Sequence, residues 1–229
     1  MKKIMIMLAA VSALTCVNAQ DNVEATISTD VVSNYIWRGQ DLGDASLQPT
    51  LGIAYKGLSL SAWGSVGITD ATDTKELDFT LGYSVGGFNV GVTDYWFSEG
   101  RYFTYGAHST THVWEANVGY DFECLNIQWY TNIGGADGVT EKGDRAYSSY
   151  VQLSAPFELG GLDWTATVGA VPFETSFYDA SGFAVTHVGL RATKTLTLGK
   201  EFELPVFADI VTNPRSEKMF FTLGTTIAF

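Results

Sequence analysis

Read every second residue of the last eleven, MFFTLGTTIAF, and two different chains emerge. One set is Met219, Phe221, Leu223, Thr225, Ile227 and Phe229, mostly large and apolar; the other is Phe220, Thr222, Gly224, Thr226 and Ala228, mostly small or polar. Period-two alternation is the mark of a β-strand, because successive side chains point to opposite faces of a sheet. The same rhythm returns over 25–38, 47–55, 58–68, 77–85, 88–96, 114–122, 125–133, 147–155, 162–170, 187–192 and 202–210. Almost no helical period competes with it. The expectation is an all-β chain, an antiparallel up-and-down arrangement of about 12 strands.

Which solvent the bulky face meets depends on compartment, and the first residues speak to that. MKKIMIMLAAVSALTCVNAQ carries Lys2 and Lys3, an apolar run from Ile4 to Leu14, and a small-residue site at Val17-Asn18-Ala19. That layout predicts a secretory signal peptide over 1–19 and a mature domain over 20–229. Cys16 suggests a lipoprotein alternative, but Ala13-Leu14-Thr15 before it suits that poorly. Cleavage after Ala19 leaves Cys124 alone, without a partner for a disulfide within the chain. It also takes the formal charge from −12 to −14. So acidic a chain argues against nucleic acid as a partner, since that needs clustered Lys and Arg. No later stretch has the length of a membrane helix.

The connections divide into two kinds. Short turns fall at Lys56-Gly57, Gly86-Gly87, Glu123-Cys124, Leu159-Gly160-Gly161 and Gly199-Lys200; longer loops fall at 39–46, 70–75, 98–111, 134–146, 174–182 and 214–217. Tight turns on one rim and long loops on the other are the pattern of an outer-membrane barrel. Aromatics gather near segment ends, with Tyr35, Trp37, Trp96, Trp114 and Tyr147 assigned to the long-loop rim and Tyr55, Tyr83, Phe88, Phe122, Trp164, Phe202 and Phe229 to the other. A membrane barrel bands its interfaces in this way, whereas a soluble sandwich would bury them. The fold expected is therefore a transmembrane β-barrel in the cell outer membrane, its bulky face to lipid and its polar face to a wet lumen. Asp94 breaks the pattern: strict alternation turns it outward, so it should lie near the outer rim or follow a bulge. Phe229 should end the strand that closes the barrel on the first one, since an unpaired edge in hydrocarbon is costly. A terminal Phe also resembles the address read by the barrel-insertion machinery.

The inward face supplies the candidate site. The pore-lining set is Asp30, Asn34, Arg38, Asp78, Glu115, Asp121, Asp163, His187, Arg191 and Asp209. Carboxylates outnumber cations in it, so an open lumen would favour cations among small solutes. The same charges could instead pair and fill the interior. Trp63, Tyr130, Phe207 and Phe220 also read inward and suggest partial obstruction. An enzyme acting at the outer rim through His187 and a neighbouring Asp or Ser is an alternative, and a non-conducting anchor or adhesion barrel another, given the aromatic loop Arg101-Tyr102-Phe103-Thr104-Tyr105. No nucleophile motif accompanies the histidines, and no cofactor or metal is expected. His108 and His112 have helical spacing in a loop that does not look helical. The acidic loops 41–44, 70–73 and 137–144 could offer Ca²⁺ oxygen ligands, but solvating the rim explains them more simply.

Residues 33–65, SNYIWRGQDLGDASLQPTLGIAYKGLSLSAWGS, resemble the opening of the TorF-like porin family. Ser33, Tyr35, Trp37, Arg38 and Gly39 match its first strand, Pro49 leads the second, and Trp63 with Ser65 marks the third. ELDFTLGYSVGGFNVGVTDYWF, residues 76–97, is similar to its next two strands. The likeness covers roughly the first 100 residues, beyond which strand rhythm alone agrees. The resemblance implies an outer-membrane barrel of porin type with no defined substrate and no catalytic signature.

Overall fold

A computed structural model describes residues 23–70, 72–98, 100–106, 109–199 and 202–229. The expected leader 1–19 and His108 lie outside these residues. The wall is a closed barrel of twelve antiparallel strands: β1 (Glu24–Val32), β4 (Ser46–Tyr55), β5 (Leu58–Gly67), β6 (Glu76–Val85), β7 (Phe88–Trp96), β8 (His112–Asp121), β9 (Asn126–Gly135), β10 (Ser149–Leu159), β11 (Leu162–Val171), β12 (Ala184–Leu198), β13 (Phe202–Asn213) and β14 (Lys218–Ala228). Each strand pairs with its sequence neighbours in the wall, and β14 returns to β1 with Ser28 opposite Ala228 and Val32 opposite Gly224. The Phe229 amide adds one more bond, to the Ile27 carbonyl. Closure leaves no free edge, as a wall facing hydrocarbon requires.

The short turns form where backbone chemistry allows. Lys56 and Gly57, like Gly160 and Gly161, all have positive φ. Positive φ at both central residues is the two-residue type I′ turn whose twist suits a hairpin. The alternation sorts as expected along the wall. Leu51, Ile53, Leu60, Leu81, Val90, Val92, Leu153, Ile210, Phe221 and Leu223 are exposed on the outside, while Ser59, Ser65, Asp78, Thr93, Gln128 and Thr222 are buried inside. Asp94 does face outward, two residues from the end of β7, and β7 keeps unbroken register with both neighbours.

The first expected strand is wrong in its second half. It ends at Val32, and the residues beyond form a separate hairpin, β2 (Tyr35–Trp37) with β3 (Gln40–Gly43). That hairpin turns into the barrel mouth at the long-loop rim. Tyr35 and Trp37, assigned above to an outer aromatic band, are 5% and 7% exposed and belong to the interior core with Tyr95, Tyr130, Tyr150 and Tyr178. The reason is polarity at the tip: Arg38 follows them, and its partner is a carboxylate inside the wall.

Candidate functional site

The hairpin's tip is two residues long, with Trp37 opposite Gln40. Arg38 and Gly39 have φ of 51° and 81°, the positive pair that a type I′ turn demands. Gly suits its place twice over, since a Cβ on Gly39 would run into the Thr186 carbonyl. Arg38 does not suit its place: a left-handed conformation costs a side-chain-bearing residue about 1–2 kcal/mol. Something at the tip must offset that.

What offsets it is the most enclosed arginine–carboxylate pair among the described residues. Arg38 meets Glu115 of β8 through two parallel bonds, Nη1 to Oε2 at 2.6 Å and Nη2 to Oε1 at 2.8 Å. Nη1 also donates to the Tyr178 hydroxyl. The guanidinium carbon lies 4.4, 4.2 and 4.7 Å from the ring centres of Trp37, Tyr130 and Tyr150. A cation over an aromatic face gains up to about 2 kcal/mol when desolvated. Glu115 is held in turn by the Tyr95 hydroxyl at 2.9 Å. Burial works against charge on Arg38, and the adjacent Glu115 reverses this, so the guanidinium holds its proton more tightly than usual. Burial likewise pushes the Tyr178 phenol up.

Three further contacts seat the hairpin. Tyr35 donates to Glu76 of β6 at 2.7 Å. Its ring packs 5.6 Å from Trp63. Asn213 of β13 donates to the Gly39 carbonyl at 3.0 Å. Tyr178 arrives from a single 3-10 turn, Ser176–Tyr178, capped by the Thr175 hydroxyl. It stacks on Trp37 at 6.1 Å and on Tyr150 at 5.8 Å. Two bulges lie beside the tip. Ile133 in β9 is the extra residue near Glu115, and Thr186 in β12 is the extra residue whose carbonyl meets Gly39. A bulge re-aims the residues around it.

Below the hairpin the lumen is differently made. Arg191 and Asp209 sit directly opposite each other on β12 and β13 and bond at 2.7 Å through Nε and through Nη2. Arg191 also lies 4.3 Å over the Phe207 ring. Asp30 accepts from Thr226 across the β1–β14 seam. Above the hairpin a cavity of about 580 Å³ opens at the mouth, lined by Trp37, Gln40, Asp73, Lys75, Phe97 and Phe177 among others.

The expected lining residues thus separate. Arg38 and Glu115 meet; Arg191 and Asp209 meet, with His187 on the same strand as Arg191; Asp30 sits at the seam; Asp78 is buried on β6. Asn34 lies in the link between β1 and β2, and Asp121 and Asp163 lie at the short-turn ends of β8 and β11. Asp121 is occupied there, accepting from the Glu123 amide. Glu76 was missed. It shares the inward parity of Asp78, and that was a usable signal.

His112 takes up the outward Asp94. Its Nδ1 lies 2.8 Å from Asp94 Oδ1 and its Nε2 lies 2.6 Å from the Tyr102 carbonyl oxygen. Tyr105 packs 4.4 Å from the imidazole and Tyr102 5.1 Å. Both nitrogens face acceptors, so neither is left for a nucleophile. The aromatic loop is folded over this pair, which lets a carboxylate sit on the outer face of the wall. Among the described residues, no group of three or more His, Cys, Asp or Glu could hold a metal ion. In the acidic loop 70–73, Asp70 is taken up by the amide and hydroxyl of Thr72, which hold its carboxyl below the usual range.

Comparison with known proteins gives three results. Residues 17–203 match the family described as bacterial protein of unknown function (Gcw_chp), and the chain belongs to that family. No curated protein matches it. Among solved structures, the chain is similar to the NanC porin in a rhombohedral crystal form, with 9% identity and a TM-score of 0.47 over 90% of this chain and 99% of that one. It is also similar to Salmonella typhi OmpF in complex with daunomycin, with 10% identity and a TM-score of 0.37 over 91% of this chain and 97% of that one.

Proposed function

We propose that this Gcw_chp family barrel is an outer-membrane channel of porin type for small solutes, with cations preferred, and that the β2–β3 hairpin closes its outer half in the state described. The observation that carries the reading is the inside-out wall: exposed leucine, isoleucine, valine and phenylalanine outside, buried polar and charged groups within. A soluble protein would reverse that order. The resemblance of residues 33–65 and 76–97 to the TorF-like porins supports the same class.

The cation preference rests on the balance of interior charge. Asp30, Glu76, Asp78, Glu115 and Asp209 are buried, against Arg38 and Arg191. Both arginines already hold a carboxylate each, and the carboxyls of Asp30, Glu76 and Asp78 are left to favour cations wherever they are ionised. In the same reading Phe229, exposed at the last position, is the contact for the insertion machinery.

Purified protein reconstituted in a planar bilayer tests this. Discrete conductance is expected, small in the wild type and with a reversal potential favouring potassium over chloride. A barrel that stays silent even when Glu115 is replaced by alanine would be a non-conducting anchor instead.

A further inference from the structure

A guanidinium enclosed by a carboxylate and aromatic faces describes a receptor as well as a brace. Most of the enclosure around Arg38 does not come from the hairpin. Glu115, Tyr130 and Tyr150 stand on β8, β9 and β10, and Tyr95, which orients Glu115, stands on β7. These wall residues offer a two-oxygen acceptor and two ring faces, 4.2 and 4.7 Å from the guanidinium carbon of Arg38, and none of them belongs to the hairpin. The occupant, by contrast, holds its place in an unfavourable backbone conformation, with Arg38 at φ 51°. The mouth cavity of about 580 Å³ reaches the edge of the cage: Trp37 lines the cavity and is also one face of the cage, so a solute enters by moving that ring together with the hairpin.

We propose that this cage is a binding site for guanidinium-bearing solutes, which compete with Arg38 for Glu115 and, on displacing it, free the β2–β3 hairpin from the lumen. The proposal rests on the channel reading only in requiring that solutes enter the barrel mouth. Guanidinium is selected over alkylammonium because Glu115 is engaged through two parallel bonds in one plane, which a planar fork can make and a tetrahedral ammonium cannot. Flat cations also stack on the tyrosine faces. Hairpin and solute would occupy one site exclusively, since the tip's two nitrogens use both Glu115 oxygens. The tethered Arg38 acts at an effective concentration in the millimolar range or above, so free solute competes best at comparable levels.

Methylguanidinium binding to the detergent-solubilised full barrel, followed by titration calorimetry, tests the site directly. Arg38→Ala removes the competitor, and its affinity should exceed that of the wild type by at least about tenfold. Methylammonium should bind neither form measurably, and the double variant Arg38→Ala with Glu115→Gln should lose the methylguanidinium signal. Arg38→Ala protein that migrates as a folded barrel yet binds no more tightly than the wild type overturns the proposal. Should Arg38→Ala not fold, wild-type calorimetry decides: methylguanidinium at millimolar levels must give a binding signal that equimolar methylammonium does not, and equal signals overturn the proposal. Absence of conductance in every variant, with calorimetric binding intact, removes the channel reading and leaves the site. Conductance without binding removes the site and leaves the channel.

Discussion

The barrel uses one chemical device twice and to different ends. Arg38 with Glu115 and Arg191 with Asp209 are both two-point guanidinium–carboxylate pairs, and both guanidiniums lie on aromatic rings. Their side chains differ in exposure, at 5% and 2% for the upper pair against 20% and 13% for the lower. They differ also in reach. The lower pair joins directly opposed positions of adjacent strands that would stay paired without it. The upper pair joins residues 77 apart in sequence and fixes the tip of a hairpin that Tyr35, Trp37 and Gly39 also seat against the wall. A pair within the ladder joins two neighbouring strands of the wall, whereas a pair across the lumen holds a hairpin inside it.

The sharpest way to break the comparison is Glu115→Ala. Removing one partner of a buried pair leaves the other charge stranded, at a cost of about 3–5 kcal/mol. Here the hairpin can relieve that cost by leaving, so the expected outcome is a large rise in single-channel conductance with the barrel still closed. Protease sensitivity within Gln40–Gly43 should appear alongside it. His112→Ala comes next, because it strands Asp94 on the outer face. A loss of about 1–3 kcal/mol is expected for an acceptor left unpaired, read as a lower urea midpoint for barrel unfolding with conductance unchanged. Asp209→Asn should do least to stability, about 1 kcal/mol or below for a partly exposed pair. Its effect belongs in the reversal potential, which should move toward anions because Arg191 is no longer balanced. If Asp209→Asn instead raised conductance as much as is expected of Glu115→Ala, the division of labour between the two pairs would fail.

The hairpin was hidden for an instructive reason. Val31, Tyr35 and Trp37 share one parity, so the alternation runs through Ser33-Asn34 without a slip. Period two reports local extended backbone and cannot tell a wall strand from a hairpin that folds inward. Two signals were present nonetheless. A strand over 25–38 is longer than the 9–11 residues a membrane strand needs, and Arg38-Gly39 between YIW and QDL has the length of a two-residue turn. Asp94 was readable as a rim residue; that His112 would be its partner was not, since the two lie on different strands joined by a long loop.

By itself the sequence determined the wall: strand number, the side each residue faces, the rim of each connection and the acidity of the interior. All of these follow from a two-residue period and from turn chemistry, which act between near neighbours. Only the tertiary structure decided that Arg38 would meet Glu115, that Tyr35 and Trp37 would turn from the membrane to the lumen, and that the bore would be filled at its outer end. Those outcomes depend on closing a ring of twelve strands, and a guanidinium finds its carboxylate across that ring only once the ring exists.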